Sequence, residues 1–118
     1  MPRGTILVVD DEDEIREGLE ALLTSEGFDV SSAGTGEAGL QKLEERPFDL
    51  MLLDVSLPDR NGLELLREIR RRDPSLSIIL ITAYGSIEMA RGLQRWRAGL
   101  HHQAMVERRA GGAGVAGN

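Results

Sequence analysis

Short apolar runs alternate with amphipathic stretches through the first three quarters of the chain. The runs Ile6-Leu7-Val8-Val9, Leu50-Met51-Leu52-Leu53 and Ile78-Ile79-Leu80-Ile81 are almost uninterrupted, the pattern of strands buried on both faces. Between them the apolar positions follow helical spacing: Ile15, Leu19, Leu22 and Leu23, then Ala38, Leu40 and Leu43, then Leu63, Leu65, Leu66 and Ile69. This predicts strands over residues 5–10, 28–33, 49–54 and 77–81. Helices are predicted from Asp13 or Glu14 to Gly27, over 36–45 and over 62–72. Pro47 and the pair Asp73-Pro74 break the chain before the third and fourth strands. The run Arg70-Arg71-Arg72 suits a solvated helix end favoured by the macrodipole. Ser86 can cap a fourth helix opening at Ile87. Strands and helices in strict alternation imply an α/β fold, a doubly wound parallel sheet with right-handed crossovers and helices on both faces.

The length of 118 residues bounds the chain to one core. A net charge of -6 argues against direct nucleic acid binding. The charge is also uneven: through Met89 there are 19 acidic and 9 basic residues, whereas from Ala90 onward there are 1 acidic and 5 basic. That last quarter is too Gly-rich and sparsely basic to build a DNA-reading helix. The absence of cysteine excludes disulfides and thiolate metal sites and fits a reducing, cytoplasmic setting. No basic segment leads into a long apolar stretch, so no signal peptide is expected, and no run is long enough to span a bilayer.

Chemistry enters at the strand ends. Asp10 and Asp11 close the first apolar run and Asp54 closes the third. If both runs are parallel strands of one sheet, three acids surround one crevice at their carboxyl-terminal edges, where open α/β sheets bind ligands. The acids of either run alone read as easily as a helix cap or a solvated loop. Together they repel one another unless a hard cation is held between them, and oxygen ligands of this kind favour magnesium, which commonly bridges carboxylates to phosphate. The fourth run ends in Thr82-Ala83, a hydroxyl and a small side chain that suit a pocket admitting a phosphoryl group.

Three stretches carry a resemblance: residues 6–12 (ILVVDDE), 49–66 (DLMLLDVSLPDRNGLELL) and 78–90 (IILITAYGSIEMA). In this order and spacing they resemble the receiver domain of two-component response regulators, and the last is similar to receivers of the nitrogen-regulation class. The resemblance implies a flavodoxin-like receiver fold and a phosphorelay role, with Asp54 as phosphoacceptor and a histidine kinase or phosphotransfer protein as donor. It implies a magnesium ion held directly by Asp11 and Asp54, by Asp10 through a bound water, and by the backbone carbonyl of Ser56. Thr82 would hydrogen-bond the phosphoryl oxygen and Ala83 would keep the approach open, while Pro58 and Gly62 would shape the loop leading into the third helix.

The resemblance departs after Ala90. Residues 1–90 read as a receiver-like core and 91–118 as an atypical tail, with a short helix over 102–109 and a disordered Gly/Ala-rich end from 111. Neither a fifth strand nor a fifth helix is recognisable. The lysine that the family places near the phosphoryl group has no counterpart, because Lys42 is the sole lysine and falls on the second helix. Phosphorylation is therefore expected to be impaired, and the fourth strand is expected to present an open edge for self-association. His101 and His102 receive no role. The chain is expected not to be an enzyme, and two alternatives stand beside the phosphoacceptor. One is a receiver-like interaction module that is not phosphorylated. The other, ranked last, is an aspartyl-nucleophile phosphatase, which would want an acid where Ser56 stands.

Overall fold

Among the described residues, four strands and three helices follow one another in the order that the hydrophobic pattern predicts. The computed structural model describes residues 4–81. The strands are β1 (Thr5–Val9), β2 (Asp29–Ala33), β3 (Leu50–Asp54) and β4 (Ser77–Ile81), and the helices are α1 (Asp13–Ser25), α2 (Gly36–Glu45) and α3 (Gly62–Arg72). Thr82, Ala83, the helix expected from Ile87 and the 91–118 tail lie outside the described residues, as does whatever adjoins the outer edge of β4, which ends the described sheet.

Among the described residues the four strands pair in parallel, in the spatial order β2-β1-β3-β4. Because successive side chains of a strand point to opposite faces, each run splits between two cores. Leu7, Val9, Met51, Leu53, Ile78 and Leu80 face α2 and α3, meeting Leu40, Leu65 and Ile69. Ile6, Val8, Leu50, Leu52, Ile79 and Ile81 belong to the opposite core, with Leu19 and Leu23 of α1. β1 and β3 lie side by side, with Val9 in register with Leu53, so the residues that follow them emerge together at one edge.

The helix ends explain small departures from the predicted bounds. α1 stops in a Schellman motif: Phe28 N–H donates to Leu23 O (3.1 Å) and Gly27 N–H to Thr24 O (3.0 Å), with Gly27 at φ 99°. Leu23 and Phe28 are both buried in the α1 core, the apolar contact that accompanies this motif. Phe28 thus closes the helix rather than opening β2. Of the apolar stripe predicted on α1, Leu19 and Leu23 are buried, whereas Ile15 and Leu22 are 41% and 50% exposed. One line of residues a turn apart suffices to meet a single sheet face.

At the start of α2 each orphan amide has a partner. Ala38 N–H donates to Thr35 Oγ1 (3.1 Å) and Gly39 N–H to Thr35 O (3.0 Å), while the Asp59 carboxylate accepts from Gly36 N (2.9 Å) and Glu37 N (3.1 Å). Asn61 caps α3, accepting from Leu63 N (2.8 Å) and Glu64 N (3.2 Å). Among the described residues no helix is long and apolar enough to cross a membrane.

Candidate functional site

The adjacency of β1 and β3 brings Asp10, Asp11 and Asp54 to one place. One carboxylate oxygen from each lies within 4.8 Å of the others. With Glu12, Ile15, Ser56 and Ile81 they line a cleft of about 180 Å³ at the carboxyl-terminal edge of the sheet. A larger cleft of about 240 Å³ lies at the opposite edge, between Leu43, Phe48, Ile69 and Arg72. Its Arg72 is paired with Glu44 and Glu68.

Two of the acids are withdrawn from water and one is not. Asp10 is 2% exposed and Asp54 9%, whereas Asp11 is exposed. Asp10 Oδ1 accepts the Glu12 N–H at 2.9 Å, and Asp54 Oδ1 accepts the Ser56 N–H at 2.9 Å. Burial pushes the Asp54 carboxyl up to about 6, helped by the charge of Asp10 and by hydrogen bonding and charge from Asp11, against the opposing pull of the Ser56 N–H. Asp10 is raised as well, first by burial and then by its acidic neighbours, despite the Glu12 N–H and Arg16. The cluster is short of positive charge. Oxygen-only donors, convergent and partly desolvated, fit a small hard cation such as magnesium.

The expected site residues divide clearly. Asp10, Asp11, Asp54 and Ser56 line the same cleft. Gly62 stands behind Asp54, where a Cβ would come within 2.4 Å of Val55 Cα and 2.9 Å of Asp54 O. No side chain fits that approach. Pro58 is exposed at the tip of the β3–α3 loop. Sequence reasoning missed Arg16, whose Nη1 donates to Asp10 O at 2.7 Å while Nη2 pairs with Asp13 at 2.5 Å. Its signal was a cation near a helix start, where the macrodipole disfavours one unless it has another partner.

A family model described as the response regulator receiver domain matches residues 6–100. The chain belongs to that family. The receiver is 42% identical over 99 residues to the response regulator protein PilR of Pseudomonas aeruginosa, covering 84% of this chain and 22% of PilR. It thus spans about a fifth of that relative's length. Among solved structures, NtrX from Brucella abortus superposes with a TM-score of 0.71 at 31% identity, covering 93% of this chain and 23% of NtrX. These two matches set the receiver in the nitrogen-regulation class. TrrA from Thermotoga maritima, solved in complex with Mg²⁺ and BeF, has a TM-score of 0.68 at 38% identity, covering 92% of this chain and 88% of TrrA. TrrA was also solved in complex with the histidine kinase ThkA, where it matches with a TM-score of 0.68 at 36% identity, covering 92% of this chain and 87% of TrrA. The fold is therefore that of flavodoxin-like receivers.

Proposed function

We propose that this receiver is a phosphoacceptor module of a two-component phosphorelay, acting in the cytoplasm and taking a phosphoryl group onto Asp54 from a phosphohistidine of a kinase or phosphotransfer protein. The observation that carries this reading is the position of Asp54: a strand-end carboxylate facing a cleft, within 4.8 Å of two further acids, with its pKa driven up to about 6 by burial and their charge. The module is not itself an enzyme that turns over a substrate.

In the transfer, an Asp54 oxygen forms a bond to phosphorus as the bond from phosphorus to the donor imidazole nitrogen breaks. The electron pair of that bond leaves on the nitrogen, which is protonated from water. Asp10, Asp11, Asp54 and the Ser56 carbonyl would hold magnesium, which when bound neutralises charge on the transferred oxygens. The Ser56 N–H fixes one oxygen of Asp54 and so orients the carboxylate for attack. Arg16, bonded to the Asp10 carbonyl, keeps the turn that carries Asp10 and Asp11 in place. As the family resemblance implies, Thr82 would hydrogen-bond the phosphoryl oxygen and Ala83 would keep the approach open, while Pro58 and Gly62 shape the loop behind Asp54.

Intact-mass measurement after exposure to phosphoramidate and magnesium tests this. A gain of one phosphoryl group, lost when magnesium is chelated, is the expected result. With Lys42 on α2 as the sole lysine, no ammonium is available to neutralise the remaining phosphoryl oxygen, so the gain should be slow or partial. That same lack favours the second reading, an interaction module that is not phosphorylated, and an unchanged mass at all times would select it.

A further inference from the structure

The loop between β3 and α3 is fastened to α2 by side chains that the chemistry above does not use. We propose that Asp59 and Arg60 are positioning residues: they clasp this loop to the start of α2 and thereby hold Ser56 and Asp54 in the geometry that binds magnesium. The inference rests on the reading of the acid cluster as a magnesium site and adds the device that sets its affinity.

The clasp has three parts. The Asp59 carboxylate spans the first two amides of α2, accepting from Gly36 N at 2.9 Å and Glu37 N at 3.1 Å. Those N–H groups, with Arg60 beside them, hold its carboxyl below the ordinary range. Arg60 forks between the two helices, with Nη1 on Glu37 at 2.6 Å and Nη2 on Glu68 at 2.5 Å. Its stem lies over Gly36, where a Cβ would come within 2.8 Å of Arg60 Cγ. Gly36 is buried and its missing side chain is the space the stem occupies.

The tongue so pinned is closed at its base. Ser56 and Asn61 form an antiparallel bridge, Gly62 N–H donates to Val55 O at 3.2 Å, and Leu57 is buried in the core below. With base and tip both fixed, Ser56 has little freedom, and it is Ser56 whose N–H holds Asp54. A cation site gains affinity when its ligands need not be ordered on binding, because the ordering entropy has already been spent in folding. α2 carries none of the acids, yet through Asp59 and Arg60 it braces the loop on which Asp54 depends.

The test is magnesium titration by calorimetry on the full chain, with thermal unfolding and amide exchange at Ser56 recorded in parallel. Asp59→Ala and Arg60→Ala should each weaken magnesium binding about three- to tenfold and speed exchange at Ser56, as expected for losing a helix cap or a forked pair. Arg60→Lys, which can keep one of the two ion pairs, should recover part of the affinity. Glu37→Gln, altered on α2 rather than on the loop, should reproduce the Arg60→Ala loss in weaker form and keeps the test open should a loop variant fail to fold. Arg46→Ala removes the ion pair to Asp29 without touching the loop, Glu37 or Glu68 and should leave the affinity unchanged. Wild-type binding with all loop variants within twofold of it would overturn the clasp. A wild type that binds no magnesium would instead remove the site reading on which the clasp rests.

Discussion

Asp10 and Asp54 are held by the same local device: each accepts the backbone N–H two residues further on, from Glu12 and from Ser56, both at 2.9 Å. The turn that follows each strand therefore fixes one carboxylate oxygen of each acid in the wall of the cleft. Two adjacent parallel strands ending in this way produce a pair of buried acids whose charges repel each other. The exposed Asp11 adds a third, and the electrostatic strain of the site follows from that arrangement.

Stability should respond to pH through Asp54. Its carboxyl titrates at about 6 in the folded protein against an ordinary 3.8, so between those values the folded chain holds a proton that the unfolded chain has released. The stabilisation is full below the unfolded value and is lost as pH rises through the folded one, a change of at most roughly 3 kcal/mol. Asp10 is shifted the same way, whereas the exposed Asp59 and the partly buried Glu68 are lowered and act in the opposite sense. Asp54→Asn should therefore gain stability relative to wild type as pH rises from about 4 to 7 without metal. Denaturant unfolding in a chelator at both ends of that range checks this, and parallel curves for the two proteins would contradict it.

Magnesium should reverse this penalty. At ten times its dissociation constant it should stabilise the wild type by about 1.4 kcal/mol. Asp11→Ala should abolish that gain while leaving metal-free stability within about 0.5 kcal/mol, because the side chain is exposed. A melting curve with and without magnesium decides it, and equal metal-induced shifts in both proteins would exclude Asp11 from the site.

Two glycines should respond oppositely to alanine. At Gly62 a Cβ would meet Val55 Cα at 2.4 Å, so backbone must move, and Gly62→Ala should cost about 1–3 kcal/mol and weaken magnesium binding. Gly18, on α1, has nothing within 4 Å of its ideal Cβ, and Gly18→Ala should stabilise by about 1 kcal/mol through helix propensity. Unfolding midpoints measured side by side test the contrast.

Much of this was legible in the sequence because it depends on period and position. Unbroken apolar runs such as Leu50-Met51-Leu52-Leu53 indicated a strand buried on both faces, and the strand-end acids Asp10, Asp11 and Asp54 indicated a shared crevice once β1 and β3 were taken as neighbours. Details set by local hydrogen bonding were less visible. Phe28 looked like strand but seals α1, and Ile15 and Leu22 fit a helical stripe yet remain exposed. The clasp was not legible at all: Asp59 and Arg60 meet Gly36 and Glu37 across more than twenty residues of chain, and no periodicity records such a pairing. The fate of the tail, and of Thr82 and Ala83, falls outside the described residues.

Locating the phosphoryl group tests the central claim most directly. After incubation with phosphoramidate and magnesium, the labelled protein would be digested and the modified peptide sequenced by mass spectrometry, with Asp54→Asn treated in parallel. The account predicts one label, on Asp54, and none in the variant. A label on any other residue, or undiminished labelling of Asp54→Asn, would contradict it.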